Sequence, residues 1–416
     1  MRLRIEKLYG RFTYDMVFPD SGVTILTGPN GFGKSTLLRC IQAVHESDLA
    51  FFTGLDHARF SLSSDDENER FDLARVNQIL FEINGKAYRR SDLRRYNREP
   101  SGISSASAQF LQTTEKYVQH IGGAAQKKDN EDIEGLSALL RKMPLVTGRV
   151  SLIKEQRLLT ETVERKSPFL LTETVRGTTE AISGIPESFL GLLNQTMREY
   201  SAVATKLDSL FLRRLINSSE KDTFSEADFI REYTDTKRKL DTLRENGISN
   251  FPELGELNYQ AKNASAFRIF FDDFNQKYAV YAPLMEKMTL YRNIINKRLR
   301  FKKLSYSEKG IEIRNDSGSP LLLEQLSSGE KELLLLYFRL IFQTEPNMRI
   351  LIDEPEISLH IAWQQKFVPD LKKIAKLNNF SAIIATHSPF ISDSVAAAKY
   401  DLGEIYKNGR TKADEG

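Results

Sequence analysis

One stretch decides the fold of this chain: Gly28-Pro29-Asn30-Gly31-Phe32-Gly33-Lys34-Ser35-Thr36. It fits the pattern G-x-x-x-x-G-K-[ST], which forms a phosphate-binding loop between a strand and a helix. The flanking sequence agrees, because residues 23–26 predict a short buried strand and residues 37–41 begin an amphipathic helix. We therefore expect backbone N–H groups and the positive end of a helix dipole to converge on one phosphate group. A chance glycine turn would not explain this strand and helix context.

The residue types in the loop predict separate contacts with ATP and Mg²⁺. The glycines let the backbone curl without Cβ clashes. Lys34 supplies a mobile cation for the β and γ phosphates, and Ser35 supplies a hydroxyl for Mg²⁺. The expected nucleotide-binding residues of the loop are Gly28, Pro29, Asn30, Gly31, Gly33, Lys34, Ser35 and Thr36.

A second apolar strand is predicted at residues 348–352, and it ends in Asp353-Glu354-Pro355. A strand that delivers an aspartate beside a phosphate loop can hold the Mg²⁺ of a bound triphosphate, which assigns Asp353 as a metal ligand. The adjacent Glu354 can point at the attacking water and take its proton as general base. The Asp-Glu pair is a weak signal alone, but together with the phosphate loop it predicts ATP hydrolysis.

Composition narrows the class of protein. A length of 416 residues predicts two or three compact units. A composition of 40% apolar and 28% charged residues is typical of a soluble globular protein. The formal net charge is only +3, so a surface for nucleic acid would have to be a local patch. The single cysteine, Cys40, forms no internal disulfide, and no apolar run approaches the roughly 18 residues of a membrane span. We expect a cytoplasmic protein that does not contact a membrane.

Two local patterns leave alternatives open. The first is a cluster of positive charge formed by Arg89, Arg90, Arg94, Arg95 and Arg98. It could bind phosphate groups, or it could be a solvated surface, and the interspersed Asp92 and Glu99 favour the solvated surface. Phe12 and Tyr14 could stack on a nucleotide base, although packing is the more ordinary role of alternating aromatic residues in a strand.

Periodicity predicts three parts of the chain. Residues 1–184 contain a small sheet at 1–27, an antiparallel layer at 50–99 with an Asn84-Gly85 hairpin turn, and a strand at 150–153. Residues 185–300 have helical periodicity almost throughout, with a helix start at Ser225. Residues 301–416 return to strands and then alternate helix and buried strand. At the end of this part we expect a helix at 391–398 and a short strand near 404–406.

The segment Leu326-Ser327-Ser328-Gly329-Glu330 precedes a predicted helix and resembles the signature of the ABC-type ATPases, approximately Leu-Ser-Gly-Gly-Gln. Ser327 and Gly329 keep that spelling, whereas Ser328 and Glu330 depart from it. The resemblance implies a second anion site that faces the γ-phosphate on a partner's phosphate loop, and hence a head-to-tail homodimer or higher homo-oligomer around two ATP molecules. A helix N-cap with its following glutamate explains the local pattern, but not its place before the Asp-Glu strand.

Two further residues match elements of the same family. His387 follows a buried strand at 381–385, where the family has a switch histidine that contacts the γ-phosphate and orients water. Gln156 follows the strand at 150–153 and matches the family glutamine that touches Mg²⁺ and water. Gln78 and Gln109 are its rivals.

Two segments indicate a narrower group within these ATPases: Asp353-Glu354-Pro355-Glu356-Ile357-Ser358-Leu359-His360 and Thr386-His387-Ser388-Pro389. These segments resemble the bacterial and phage OLD-type and RecF/SMC-like ATPases (the AAA_15 and AAA_21 types), some of which serve antiphage systems such as Septu and PARIS. The resemblance implies an α/β P-loop NTPase fold: an ABC-type ATPase head with a mixed central sheet, an antiparallel β layer and a helical insertion.

The same resemblance implies an antiphage ATPase that regulates a separate effector, a nuclease or a toxin, after sensing nucleic acid or a phage protein. We expect a separate effector chain because only residues 388–416 follow His387 and because 185–300 contain no histidine or cysteine. One alternative is a RecF/SMC-like DNA-repair ATPase that binds DNA directly. A transporter's ATP-binding subunit is less favoured, since the stretch between Lys34 and the signature is unusually long for that class.

Overall fold

The computed structural model describes residues 1–64, 70–91, 93, 149–153, 159–164, 175–217, 224–248, 251, 253–393 and 398–414. The chain forms two compact units, one from Met1–Glu155 with Thr344–Gly416 and the other from Gln156–Gln343. The predicted division into residues 1–184, 185–300 and 301–416 is drawn from motifs and periodicity, whereas these units are defined by contacts, so the three-part division stays a prediction.

A five-stranded sheet forms the centre of the first unit, and its described strands are all parallel. Its order is β16 (Ala398–Asp401), β3 (Gly22–Thr27), β15 (Ser381–Ala385), β14 (Arg349–Asp353) and β8 (Val150–Ile153). The runs in β3, β14 and β15 are almost wholly apolar because both faces of a parallel sheet are covered. Ala385 lies opposite both Leu26 and Asp353, so these three strands end at the same edge of the sheet.

The second sheet of this unit is antiparallel and has six strands. Its order is β2 (Phe12–Val17), β1 (Arg2–Leu8), β4 (Arg59–Ser63), β5 (Arg70–Arg75), β6 (Leu80–Ile83) and β7 (Lys86–Arg89). Asn84 and Gly85 both have positive φ, as a two-residue hairpin turn requires, and the predicted hairpin is confirmed. Apolar side chains of both sheets share one core with α1 (Lys34–His45) and α2 (Leu49–Gly54).

The expected α/β fold with parallel and antiparallel strands is therefore confirmed, with the two kinds of strand in separate sheets. The expectation of one small sheet at residues 1–27 is wrong in one respect, because β3 belongs to the parallel sheet. Its pattern explains the difference. β1 and β2 alternate buried and exposed side chains, whereas β3 is buried at almost every position and needs cover on both faces.

The second unit is mostly helical. Its long helices are α3 (Gly184–Ile216), α4 (Glu226–Glu245) and α5 (Ala264–Asn296), followed by α6 (Ser328–Phe342). Two antiparallel sheets accompany them: β9 (Leu159–Glu164) with β10 (Val175–Glu180), and β11 (Lys302–Ser307), β12 (Gly310–Asn315) and β13 (Pro320–Leu321). The predicted helix start at Ser225 is confirmed, since Ser225 and Asp228 exchange the hydrogen bonds of a capping box.

Three further helices lie in the described part of the first unit: α7 (Ile361–Asn378), α8 (Pro389–Ser392) and α9 (Leu402–Asp414). The predicted strand near 404–406 is wrong, because these residues lie in α9 and the strand is β16 instead. The helix expected at 391–398 is limited to α8, and residues 394–397 lie outside the described part. Ala398 favours a helix by local propensity, but pairing with β3 provides hydrogen bonds that only the folded chain can offer. Within the described ranges, no helix is both long and apolar enough to cross a membrane.

Gly247 gives a test of this arrangement. It follows α4 with φ 73°, and its N–H donates to the carbonyl oxygen of Arg244 over 2.9 Å. A Cβ atom there would lie 2.4 Å from the carbonyl carbon of Ser307. We expect Gly247→Ala to lower the free energy of unfolding by about 2 kcal/mol or more, because the left-handed conformation and the backbone clash both disfavour alanine. Urea unfolding of the purified chain measures this change.

The matched control is Gly191→Ala in α3, where an added Cβ meets no atom within 4 Å. A helix-interior glycine replaced by alanine should leave the free energy of unfolding unchanged or raise it by roughly 0.5–1 kcal/mol. Equal effects of the two substitutions would contradict the close approach at Gly247.

Candidate functional site

The predicted phosphate loop lies between β3 and α1, and two of its glycines are required by the structure. Gly33 has φ 87°, and a Cβ there would lie 2.7 Å from the Leu8 side chain. Gly28 has φ 137°, and a Cβ there would lie 3.3 Å from the backbone nitrogen of Gly403. Larger residues would be strained at both positions, so the loop can curl in front of α1 only with glycine.

The Lys34 side chain is buried and already faces the loop. Its Nζ donates to the carbonyl oxygens of Gly28 over 2.8 Å and of Pro29 over 3.2 Å, and lies 3.4 Å from Nδ1 of His387. Burial lowers the pKa of Lys34, while nearby carboxylates, Glu354 first among them, act in the opposite direction. A phosphate group beside this ammonium would add negative charge where burial disfavours the cation, so the site suits an anion.

The Ser35 hydroxyl donates to Oδ1 of Asp353 over 2.9 Å. The two side chains meet because α1 begins next to β3 while Asp353 ends β14, two strands away at the same sheet edge. A hydroxyl and a carboxylate are hard oxygen ligands of the kind that Mg²⁺ takes beside the phosphates of a nucleotide. These two residues therefore fit the metal that the sequence implied.

Glu354 and His387 lie next to each other at this edge. Glu354 has φ 43°, and its N–H donates to the carbonyl oxygen of Ala385 over 2.9 Å. Nε2 of His387 lies 3.8 Å from Oε1 of Glu354, and both side chains are about one-third exposed. The His387 ring thus touches Lys34 through one nitrogen and approaches Glu354 with the other, so the site combines a cation, a carboxylate and an imidazole that solvent can reach.

Sequence reasoning missed the role of Glu356. Its Oε1 accepts hydrogen bonds from the backbone N–H groups of His387 at 2.6 Å and Ser388 at 3.1 Å, and its Oε2 accepts from the Thr386 hydroxyl at 2.8 Å. Gln364 of α7 adds a contact, since its Oε1 accepts from the Ser388 hydroxyl over 2.6 Å. The available sequence signal was the third acidic residue of Asp353-Glu354-Pro355-Glu356.

The aromatic residues near the loop support it by packing. Tyr14 is fully buried, and its hydroxyl donates to the carbonyl oxygen of Phe32 over 2.9 Å. Burial raises the pKa of Tyr14, so it stays a neutral donor. The Phe12 ring lies 4.8 Å from the Phe32 ring and 5.0 Å from the Tyr406 ring. These contacts favour the packing interpretation over base stacking. The Tyr9 hydroxyl, which the sequence did not single out, lies 2.6 Å from Oγ1 of Thr36.

The signature-like residues lie in the second unit, where Ser327 is the N-cap of α6 and Gly329 is in its first turn. Ser327 and Glu330 form a capping box, and Nζ of Lys302 donates to both Glu330 oxygens, at 3.0 and 2.8 Å. Burial would raise the pKa of Glu330, but the hydrogen bonds from Lys302 and Ser327 outweigh it and hold this pKa below its usual value. The N-cap interpretation thus describes the local geometry, and the second anion site stays a prediction.

Several predicted residues lie outside the described part of the chain: Gln156, Gln109, Arg94, Arg95 and Arg98. Among the others, Gln78 lies in the connection between β5 and β6, so it follows no strand of the parallel sheet. Arg89 ends β7, and the Arg90 N–H donates to the carbonyl oxygen of Ile79 over 2.7 Å. Of the predicted site residues, Lys34, Ser35, Asp353, Glu354 and His387 lie together at the edge of the parallel sheet.

Two curated proteins with similar sequences are named as a probable ATPase and as an ATP-binding protein. The chain is 26% identical to the Retron Ec83 probable ATPase of Escherichia coli, over 94% of this chain and 68% of that protein. It is also 42% identical over 53 residues to the molybdenum import ATP-binding protein ModC of Pseudomonas syringae pv. syringae (strain B728a), over 12% of this chain and 15% of that protein.

Among solved structures, an Smc head bound to the C-winged helix domain of ScpA aligns with 94% of this chain and 90% of its own, at 14% identity and a TM-score of 0.37. The family described as AAA ATPase domain matches residues 9–392. Because that match takes in both units and nearly the whole sequence, the chain belongs to the AAA ATPase domain family.

Proposed function

We propose that this protein binds ATP with Mg²⁺ and hydrolyses it to ADP and phosphate. The observation that supports this most is the meeting of five side chains at one sheet edge: Lys34, Ser35, Asp353, Glu354 and His387. A buried cation at a helix N-terminus, a hydroxyl–carboxylate pair and an adjacent second carboxylate are the groups that phosphoryl transfer to water requires.

The contacts within the site suggest a role for each residue. Lys34 would exchange the carbonyl oxygens of Gly28 and Pro29 for phosphate oxygens, while its stem stays buried. Ser35 and Asp353 would hold Mg²⁺, which neutralises charge on the phosphates when it is bound. Glu354 would take the proton of the attacking water, and His387 would hold that water or a phosphate oxygen by a hydrogen bond. Gln156 would contribute a further contact to Mg²⁺.

We further propose that two copies close head to tail around ATP, with Ser327 and Gly329 of one copy facing the phosphates on the other. N–H groups at the start of α6 suit an anion. Three apolar side chains are also exposed: Ile357 (59%) in the 3₁₀ helix after β14, Ile361 (59%) at the start of α7 and Phe390 (41%) in α8. A second copy seated there would remove this apolar surface from water.

The role in the cell that we propose is regulation of a separate effector, a nuclease or a toxin, in prokaryotic antiphage defence. The support is the 26% identity over 94% of this chain to a protein named as a retron ATPase. ATP-dependent closing and reopening could control an effector that binds one of the two states more tightly. The trigger would be nucleic acid or a phage protein.

The first test removes the proposed general base. Glu354→Gln keeps the size of the side chain but cannot accept a proton from water. We expect ATP turnover to fall about a hundredfold or more, the usual scale for losing a general base, while binding of a fluorescent ATP analogue is retained. A sizing column with ATP and Mg²⁺ should show closed dimers that persist. Turnover at the wild-type rate would remove Glu354 from the mechanism.

The second test asks whether the two anion sites act in trans. Lys34→Ala and Ser327→Arg chains should each be inactive alone, because every composite site then carries a defect. A mixed dimer has one intact site, so random mixing should restore about a quarter of wild-type turnover if the sites work independently. Since turnover can require both sites, ATP-dependent dimer formation is measured as well.

The control mixture pairs Lys34→Ala with a chain that carries both Lys34→Ala and Ser327→Arg. No intact composite site can form in it, so both turnover and ATP-dependent dimers should stay at the background level. Closed dimers of either single variant at the wild-type level would rule out the arrangement in trans.

A further inference from the structure

Beyond the residues of the proposed mechanism, we propose that Glu356 is a positioning residue: its carboxylate holds the backbone that places the His387 ring beside Lys34 and Glu354. The three hydrogen bonds it accepts come from consecutive residues of one loop, Thr386, His387 and Ser388. This inference rests on the proposed ATPase function for its kinetic consequence, but not for its structural one.

The backbone N–H groups of this loop have few other acceptors among the described residues. The Thr386 N–H donates to the carbonyl oxygen of Leu26 over 3.1 Å, which ties the preceding residue to β3. In the described part of the chain, the hydrogen bond of the His387 N–H goes to Glu356. The Ser388 N–H donates a bifurcated hydrogen bond to Oε1 of Glu356 and to the Thr386 hydroxyl oxygen. The orientation of the backbone at His387 therefore depends on a side chain far away in sequence.

Glu356 is itself held in place. It lies in the 3₁₀ helix Pro355–Ser358, directly after the Asp353-Glu354 pair. Nε2 of Gln364 donates to the carbonyl oxygen of Glu356 over 3.3 Å and to that of Leu359 over 2.9 Å, which anchors this turn to α7. Because the backbone of Glu356 is anchored, the hydrogen bonds of its carboxylate tie the loop to a fixed part of the unit.

A carboxylate suits this place because both of its oxygens accept hydrogen bonds. Glutamine would put an N–H₂ donor among the donors of the loop, and only the Thr386 hydroxyl could turn to accept from it. Alanine would leave the His387 N–H without its acceptor. Small displacements of a reacting group lower catalysis strongly, so the effect should appear in turnover rather than in nucleotide affinity.

The experiment compares Glu356→Ala and Glu356→Gln with the wild-type chain. For Glu356→Ala we expect kcat to fall roughly 10- to 100-fold, with a smaller loss for Glu356→Gln. Affinity for a fluorescent ATP analogue should change less than about twofold, because the phosphate loop is untouched. Glu46→Gln is the control for loss of a glutamate charge; Glu46 is exposed at the end of α1 and should keep wild-type kcat.

A double variant separates positioning from a general structural defect. If Glu356 acts through His387, adding Glu356→Ala to His387→Ala should reduce kcat by less than about twofold further. A loss that multiplies in full would show that Glu356 acts independently, and wild-type kcat in both Glu356 variants would equally overturn the proposal.

Hydrogen exchange tests the structural claim without hydrolysis. A peptide that covers residues 386–388 should exchange its amide hydrogens at least several-fold faster in Glu356→Ala than in the wild-type chain, while peptides from β3 and α1 keep their rates. Unchanged exchange at this loop would refute the positioning role. If the wild-type chain hydrolyses no ATP, the proposed function fails, and the exchange result still decides the role of Glu356.

Discussion

The alignment of three parallel strands is the constraint on which the site depends. Ala385 of β15 lies opposite Leu26 of β3 on one side and Asp353 of β14 on the other, so three chain segments far apart in sequence leave the sheet at one edge. The phosphate loop, the Asp353-Glu354 pair and the His387 loop each follow one of these strands. Because side chains alternate between faces, a shift of one residue in β14 would turn the Asp353 side chain to the opposite face of the sheet.

Burial of one cation organises the electrostatics at this edge. Lys34 is 5% exposed, and its pKa is lowered by burial although several carboxylates lie nearby. Its ammonium group donates hydrogen bonds to the backbone carbonyl oxygens of Gly28 and Pro29. The packing of Tyr14 and Phe12 against Phe32 keeps the loop in place around it. The loop and its buried cation are thus held together by contacts within the chain.

Two carboxylates, Glu356 and Glu330, link separate parts of the fold through the hydrogen-bond donors around them. Glu356 accepts three hydrogen bonds and ties the turn after β14 to the loop after β15. In the second unit, Glu330 caps α6 and accepts hydrogen bonds from Nζ of Lys302 on both of its oxygens. Each carboxylate is stable where it lies because donors surround it, which is the condition for a half-buried charge.

The sequence by itself determined the features that depend on neighbours along the chain. The glycines, Lys34 and Ser35 define the phosphate loop, Asn84-Gly85 defines a hairpin turn, and Ser225 with Asp228 starts a helix. In each case the interacting groups are a few residues apart, so their spacing is visible in the sequence.

Only the tertiary structure decided the features that depend on distant partners. It placed β3 in the parallel sheet, made residues 398–401 a strand because the edge of β3 offered hydrogen bonds, and let 404–406 continue as helix. It also assigned Glu356 its contacts, since the N–H groups that this carboxylate binds lie about thirty residues further along the chain. Local spacing cannot determine such contacts, because they form only when the folded chain brings the separate strands to one edge.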